Sequence, residues 1–209
     1  VKAEFVTSAA GAGDFPRDRL PEVAMVGRSN VGKSSLINAL VKRTIARTSA
    51  APGKTRLANY YRVQPDAGRP FYLVDLPGYG YARGGDAAAE EFRRLADSYF
   101  GRSRDSFSTS NPKMSPDPLV GALLLIDARH PGLEADLAAW EWLGTQPFPR
   151  AVVATKVDKL TRAERTRHSR QLDSLYDCPV RLVSAQTGEG LEELWKLIVK
   201  LPSPPATAR

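Results

Sequence analysis

Cysteine is almost absent. Cys178 is the only one in 209 residues, which excludes an internal disulfide and fits a reducing compartment. Long apolar runs are missing as well. The longest, Leu119 to Ile126, contains Gly121 and Ala122 and falls far short of the about 20 residues that a membrane-spanning helix needs. The opening residues, Val-Lys-Ala-Glu-Phe-Val, show no signal-peptide pattern, and no lipidation motif is apparent. The expectation is a cytoplasmic protein with no membrane attachment, its native start upstream of Val1.

Acidic residues are missing from one long stretch. None falls between Glu22 and Asp66, where Arg28, Lys33, Lys42, Arg43, Arg47, Lys54, Arg56 and Arg62 all lie. A second basic group is Lys159, Arg162, Arg165, Arg167, His168 and Arg170, and the whole chain carries a formal charge of +7. Two readings are open: these side chains answer to a nucleotide and to solvent, or their faces meet a nucleic acid. Apolar content of 42% and charged content of 25% are ordinary for a globular protein. The length suits one domain, with a full sheet covered by helices on both faces.

What is present centres on Gly27-Arg28-Ser29-Asn30-Val31-Gly32-Lys33-Ser34, a match to the phosphate-cradling pattern G-x-x-x-x-G-K-[ST]. The apolar run Val23-Ala24-Met25-Val26 before it predicts a buried strand. Ser34 to Leu40 after it predicts a helix with Leu36, Ile37 and Leu40 on one face. Strand, glycine-rich loop and helix is the context the motif needs. From Gly27 to Ser35, successive backbone N–H groups can turn toward phosphate oxygens, and the helix dipole adds to that field. Lys33 would reach the β- and γ-phosphates, and the Ser34 hydroxyl would bind Mg²⁺.

Along the rest of the chain, apolar runs alternate with helical patterns. Phe5 to Thr7 predicts an edge strand within an N-terminal extension over 1–20. Lys42 to Arg56 lacks any apolar period and predicts an exposed, mobile loop. Leu57 to Val63 and Phe71 to Val74 predict a hairpin, and Ala87 to Phe100 a helix. Ser103 to Pro118 is a polar surface insertion. Strands are expected at 119–126, 151–154 and 180–183, and helices at 133–143, 162–176 and 191–201. The main domain spans 21–201, and 202–209 is a flexible tail. The alternation predicts an α/β fold with three layers, a mostly parallel central sheet between helices. Trp140, Trp142 and Trp195 are expected to serve packing. The unusual motifs all follow strands, at the carboxyl edge where such sheets bind ligands.

Three of those motifs select the ligand. Asp75-x-x-Gly78 would place a carboxylate in the Mg²⁺ shell and the Gly78 N–H on the γ-phosphate. Thr155-Lys156-Val157-Asp158 would read the base. The Asp158 carboxylate accepts from guanine N1–H and the 2-amino group, whereas adenine would leave it unpaired. Lys156 would lie along the base plane, with the Thr155 hydroxyl toward the N7 side. Ser184-Ala185-Gln186 would supply the Ala185 N–H to the guanine 6-oxo group.

These motifs stand in the order found in translation-factor-like GTPases. More closely, Gly27 to Asn38, Pro52-Gly53-Lys54-Thr55 and Asp75-Leu76-Pro77-Gly78-Tyr79-Gly80-Tyr81-Ala82 resemble the EngB family of bacterial ribosome-biogenesis GTP-binding proteins. The similarity covers about residues 4 to 200, and Thr155 is the usual residue in that family. The resemblance implies a Ras-like G domain and a GTPase acting in assembly of the large ribosomal subunit, with rRNA or that subunit as partner, coupled to cell division and septation. It also implies a monomer. Gly53 and Lys54 would flank the nucleotide, and Thr55 would close on Mg²⁺ and the γ-phosphate; the residues alone do not choose Thr55 over Thr44 or Thr48.

Where Ras-like proteins carry a water-orienting Gln, this chain has Tyr79, which cannot do that work. Arg83 and Arg56 are near enough in sequence to be considered as arginine fingers, but neither is clearly placed. Slow turnover without a partner is therefore expected. Asn30 resembles the residue of GTPases that use K⁺ beside the β- and γ-phosphates; the other reading is that it only tightens the loop. A P-loop ATPase or small-molecule kinase is the competing function, and Asp158 speaks against it.

Overall fold

The computed structural model describes residues 1–47, 57–79, 93–101 and 118–201. Its strands are β1 (Lys2–Ala9), β2 (Glu22–Gly27), β3 (Ala58–Gln64), β4 (Phe71–Asp75), β5 (Leu119–Asp127), β6 (Arg150–Thr155) and β7 (Arg181–Leu182). They form one sheet in the order β1-β3-β4-β2-β5-β6-β7. The helices are α1 (Lys33–Val41), α3 (Glu134–Gly144), α4 (Arg162–Leu175) and α5 (Leu191–Lys200), with α2 described over 93–101.

Connection length sets strand direction. The short link 65–70 lets β3 return antiparallel to β4, whereas the longer connections leave β4, β2, β5, β6 and β7 parallel. β1 lies antiparallel to β3 at one edge. This is the expected α/β sheet, mostly parallel and three layers deep. β2 sits between β4 and β5: the crossover after β2 runs toward β3, and the one after β4 runs the other way, to β5. A crevice therefore opens at its carboxyl end.

Every residue of β2 is buried, and the period-2 alternation of a strand sorts its side chains between two cores. Val23 and Met25 face Leu36, Ile37 and Leu40 of α1 and Leu194 and Ile198 of α5. Ala24 and Val26 face the opposite layer, with Tyr99 and Phe100 of α2, Trp140 and Leu143 of α3, and Leu172 of α4. The tryptophans serve packing as expected. Trp142 meets Phe100 edge-on at 4.9 Å, Trp195 lies against Phe71 at 6.3 Å, and the Trp140 indole donates to Asp177 at 2.8 Å.

Two expectations change. The strand expected at 180–183 shortens to the two residues of β7, at the sheet's other edge. The loop after α1 does not begin as a free segment: the Asn38 amide donates to Ala46 O at 2.8 Å, and Asn38 Oδ1 accepts from Ile45 and Ala46 N–H. Ala46 is buried in consequence. An amide can give and accept at once, which fixes the loop's first turn on α1. The rest of that loop, the insertion at 103–117 and the tail at 202–209 lie outside the described residues.

α4 starts on a reciprocal cap, Thr161 accepting from Glu164 N–H while Glu164 accepts from Thr161 N–H. Urea unfolding should separate surface from core contributions. Thr161→Ala is expected to cost about 1 kcal/mol, and Ile37→Ala, which opens a cavity under the phosphate loop's helix, about 2–5 kcal/mol. Equal midpoint shifts for the two variants would contradict this placement of the core.

Candidate nucleotide site

The phosphate loop joins β2 to α1, and its glycines are required by contact and by backbone angle. A Cβ on Gly27 would lie 2.7 Å from Leu125 O and 2.9 Å from Val31 Cγ1. Gly32 holds φ +108° and Asn30 φ +60°, the left-handed region that asparagine tolerates better than most residues. The first intrahelical bond of α1 runs from Leu36 N to Gly32 O at 2.9 Å, so the N–H groups just before it remain available to an anion. Lys33 crosses this opening. Its ammonium donates to Gly27 O at 3.1 Å and Arg28 O at 3.4 Å.

Ser34 and Asp75 meet beside it, Ser34 Oγ donating to Asp75 Oδ2 at 2.8 Å. Asp75 is buried, and its Oδ1 takes no hydrogen bond among the described residues. Burial pushes the Asp75 carboxyl up, against the pull of Lys33 and the Ser34 hydrogen bond. Burial pushes the Lys33 ammonium down, against Asp75. Both directions disfavour the charged forms, and a cation on Asp75 with a phosphate on Lys33 would reverse them. A hydroxyl and a carboxylate with a spare buried oxygen fit Mg²⁺, which takes one or two protein ligands and completes its shell from phosphate and water.

The two loops expected to read the base follow β6 and β7. Asp158 Oδ1 accepts from Ser184 Oγ at 2.7 Å, and that same oxygen of Ser184 accepts from the N–H groups of Gln186 at 3.2 Å and Thr187 at 3.1 Å. The Ser184 hydrogen bond, more than the one from Lys159, holds the Asp158 carboxyl below its usual range. It is therefore the anionic acceptor that a guanine edge requires. The bonds of the Ser184 turn use the N–H groups of Ser184, Gln186, Thr187 and Gly188 but not that of Ala185.

Thr155 and Lys156 also hold the phosphate loop. The buried Thr155 hydroxyl lies 2.6 Å from Val31 O and 3.0 Å from Ile126 O, so it ties the end of β6 to that loop and to β5. Lys156 crosses to donate to Asn30 O at 2.6 Å and Asp127 Oδ2 at 2.9 Å. The base loop and the phosphate loop are thus stitched together.

Two carboxylates in this network were not among the expected site residues. Asp127 ends β5 as Asp75 ends β4, a parallel that could have flagged it. It takes Arg129 Nε at 2.9 Å and Arg129 Nη2 at 2.7 Å besides Lys156. Burial works against its charge, but these hydrogen bonds outweigh it and hold the carboxyl well below the usual range. Asp136, in the first turn of α3, accepts from Arg28 Nε at 3.1 Å and Tyr79 Oη at 2.8 Å. In sequence it passes for an ordinary acid at a helix N-terminus.

Ser29, Val31, Gly32, Ser35 and Gly78 all lie at the same carboxyl edge, around the start of α1 and the end of β4. Asn30 keeps its side chain exposed there. Gly53, Lys54, Thr55, Arg56 and Arg83 lie outside the described residues.

Comparison with known proteins gives the family. The family model described as "50S ribosome-binding GTPase" matches residues 22–107. The "probable GTP-binding protein EngB" of Symbiobacterium thermophilum is 42% identical over 233 residues, covering 95% of this chain and 94% of that one. Among solved structures, Era in complex with MgGDPNP and a 16S ribosomal RNA fragment superposes with a TM-score of 0.66 at 22% identity, over 91% of this chain and 59% of Era. A crystal structure of a probable EngB protein gives 0.61 at 22% identity, over 87% of this chain and 98% of that one. The structural likenesses show the shared G-domain fold. With a relative this similar along nearly its whole length, the chain belongs to the EngB family of GTP-binding proteins and is a P-loop GTPase.

Proposed function

We propose that this GTPase is a cytoplasmic, monomeric switch that binds an assembling large ribosomal subunit in its GTP state and leaves after hydrolysis. The observation that carries the partner is the outer surface of α4. Arg162, Arg167 and Arg170 are exposed there, and none of them forms an ion pair with an acid among the described residues. Arg165 and Lys159 pair with Glu189 and Asp158. Such a row suits the phosphate backbone of RNA. The same helix meets the turn that carries Asp127, where His168 Nδ1 lies 2.9 Å from Ala128 O. The family model's description supports the large subunit as partner, and the Era structure, which holds a fragment of 16S rRNA, supports an RNA contact in general.

In this reading Ser34, Asp75 and Thr55 hold Mg²⁺, Lys33 carries the β- and γ-phosphates, and Asp158 with the Ala185 N–H selects guanine. Turnover is slow without a partner. Tyr79 stands where a water-orienting glutamine would, and its hydroxyl is held by Asp136. An arginine finger from a partner would be worth about 10³–10⁵ in rate. The exposed Asn30 amide suits K⁺ beside the phosphates.

Three measurements test this. Asp158→Asn should shift preference from guanine to xanthine nucleotides, whose 2-oxo group needs a donor; retained guanine selectivity would place the base reader elsewhere. Hydrolysis should run faster in KCl than in NaCl, and equal rates would remove the K⁺ role. With purified 30S and 50S particles, the chain should pellet with 50S in a non-hydrolysable GTP analogue and not in GDP. Arg162→Glu with Arg170→Glu should abolish pelleting, and added salt should weaken it steeply. No pelleting of the unsubstituted chain with either particle would contradict the mature subunit as partner.

A further inference from the structure

The turn after β4 is fastened to the phosphate loop by its backbone. Ser29 N donates to Tyr79 O at 3.3 Å, and Ser29 Oγ donates to Gly78 O at 3.4 Å. Arg28 and Tyr79 form a bridge of the parallel-sheet type, which carries the β2–β4 pairing past the ends of both strands. The approach is close: a Cβ on Gly78 would lie 2.5 Å from Ser29 N and 2.6 Å from Ser29 Cα. Only glycine lets the two backbones meet in this way.

A third element locks the junction. Asp136 is 1% exposed, and its Oδ1 alone accepts both the Tyr79 hydroxyl at 2.8 Å and Arg28 Nε at 3.1 Å. Its Oδ2 takes no hydrogen bond among the described residues. One carboxylate oxygen on α3 thus holds the residue after Gly78 and the second residue of the phosphate loop. Charge-assisted hydrogen bonds of this kind are among the stronger ones a protein makes.

We propose that Asp136 is a positioning residue for the γ-phosphate: by holding Tyr79 and Arg28 together it keeps the Gly78 N–H beside the phosphate loop before nucleotide arrives. The inference rests on the reading of Gly78 as the γ-phosphate contact and adds what sets that group in place. A turn that was free before binding would lose conformational entropy when it docked on the nucleotide. Anchored through Tyr79 and Asp136, it has lost that freedom on folding. GDP has no γ-phosphate and gains nothing from the anchor, so the arrangement selects for GTP. A carboxylate that merely neutralised Arg28 would support both nucleotides alike.

The test is the pair of dissociation constants for GDP and for a non-hydrolysable GTP analogue, both with Mg²⁺, on the full chain. Tyr79→Phe removes one oxygen and keeps the ring. Affinity for the analogue is expected to fall about tenfold, the scale of one hydrogen bond to a charged group, with GDP affinity unchanged. Asp136→Asn, which still offers Tyr79 an acceptor, should show a smaller loss with the same selectivity. Parallel weakening of both nucleotides would reduce Asp136 to a structural role and overturn the inference. So would unchanged affinities, or a gain in analogue affinity, which would mean that the contact must break for GTP to bind. If the unsubstituted chain fails to prefer guanine over adenine nucleotides, the GTPase reading itself fails and takes this inference with it; the other adverse results leave that reading standing.

Discussion

The carbonyl oxygens of the phosphate loop are held by side chains, and the site depends on it. A trans peptide points each C=O and the following N–H in opposite directions. Lys156 holds the Asn30 carbonyl and Thr155 that of Val31, which turns the Gly32 N–H the other way, while the Val31 N–H donates to Arg28 O at 3.2 Å. Lys33 spans the carbonyls of Gly27 and Arg28 from the inner side. A loop of glycine, serine and asparagine has little stiffness of its own. Here the stiffness comes from side chains on β6 and α1, which the sheet places within reach.

Burial then sets the chemistry. Lys33 and Asp75 lie in the interior, where neither is comfortable as a lone charge. Two such groups set for a phosphate on one side and a divalent cation on the other make a site that is completed by its ligand. Asp127 represents the opposite case: it is buried, but four donors surround it, so its charge is stable without any ligand. In the proposed function Asp75 is the residue for the metal, whereas Asp127 serves architecture.

Much of this was legible in the sequence because the motifs specify backbone. Gly27, Gly32, Lys33 and Ser34 demand a strand before them and a helix after, and β2 and α1 flank them in the structure. The unbroken apolar run 23–26 read as a buried strand, and β2 is buried throughout. What was not legible depends on distant pairing. Arg28 and Asp136 are 108 positions apart, and the Thr155 hydroxyl reaches a carbonyl 124 positions away. Thr155 was read as a base contact because its neighbours Lys156 and Asp158 belong to the base-reading motif. Its burial against Val31 could not be read from spacing. Ile45 and Ala46 likewise look like free loop until Asn38 is seen to hold them.

The stitch between Thr155, Lys156 and the phosphate loop bears on how the ligand is perceived. In the proposed function the segment that reads the base also shapes the cradle for the phosphates, so the two ends of the nucleotide are not sensed by separable parts. Free energies measured for base changes and for phosphate changes will therefore not add. A nucleoside and inorganic pyrophosphate, offered as fragments, would each tighten the pocket for the other, a cooperativity carried by order in the protein and not by contact between the fragments. In that sense guanine is an effector of phosphate binding, built into the same molecule.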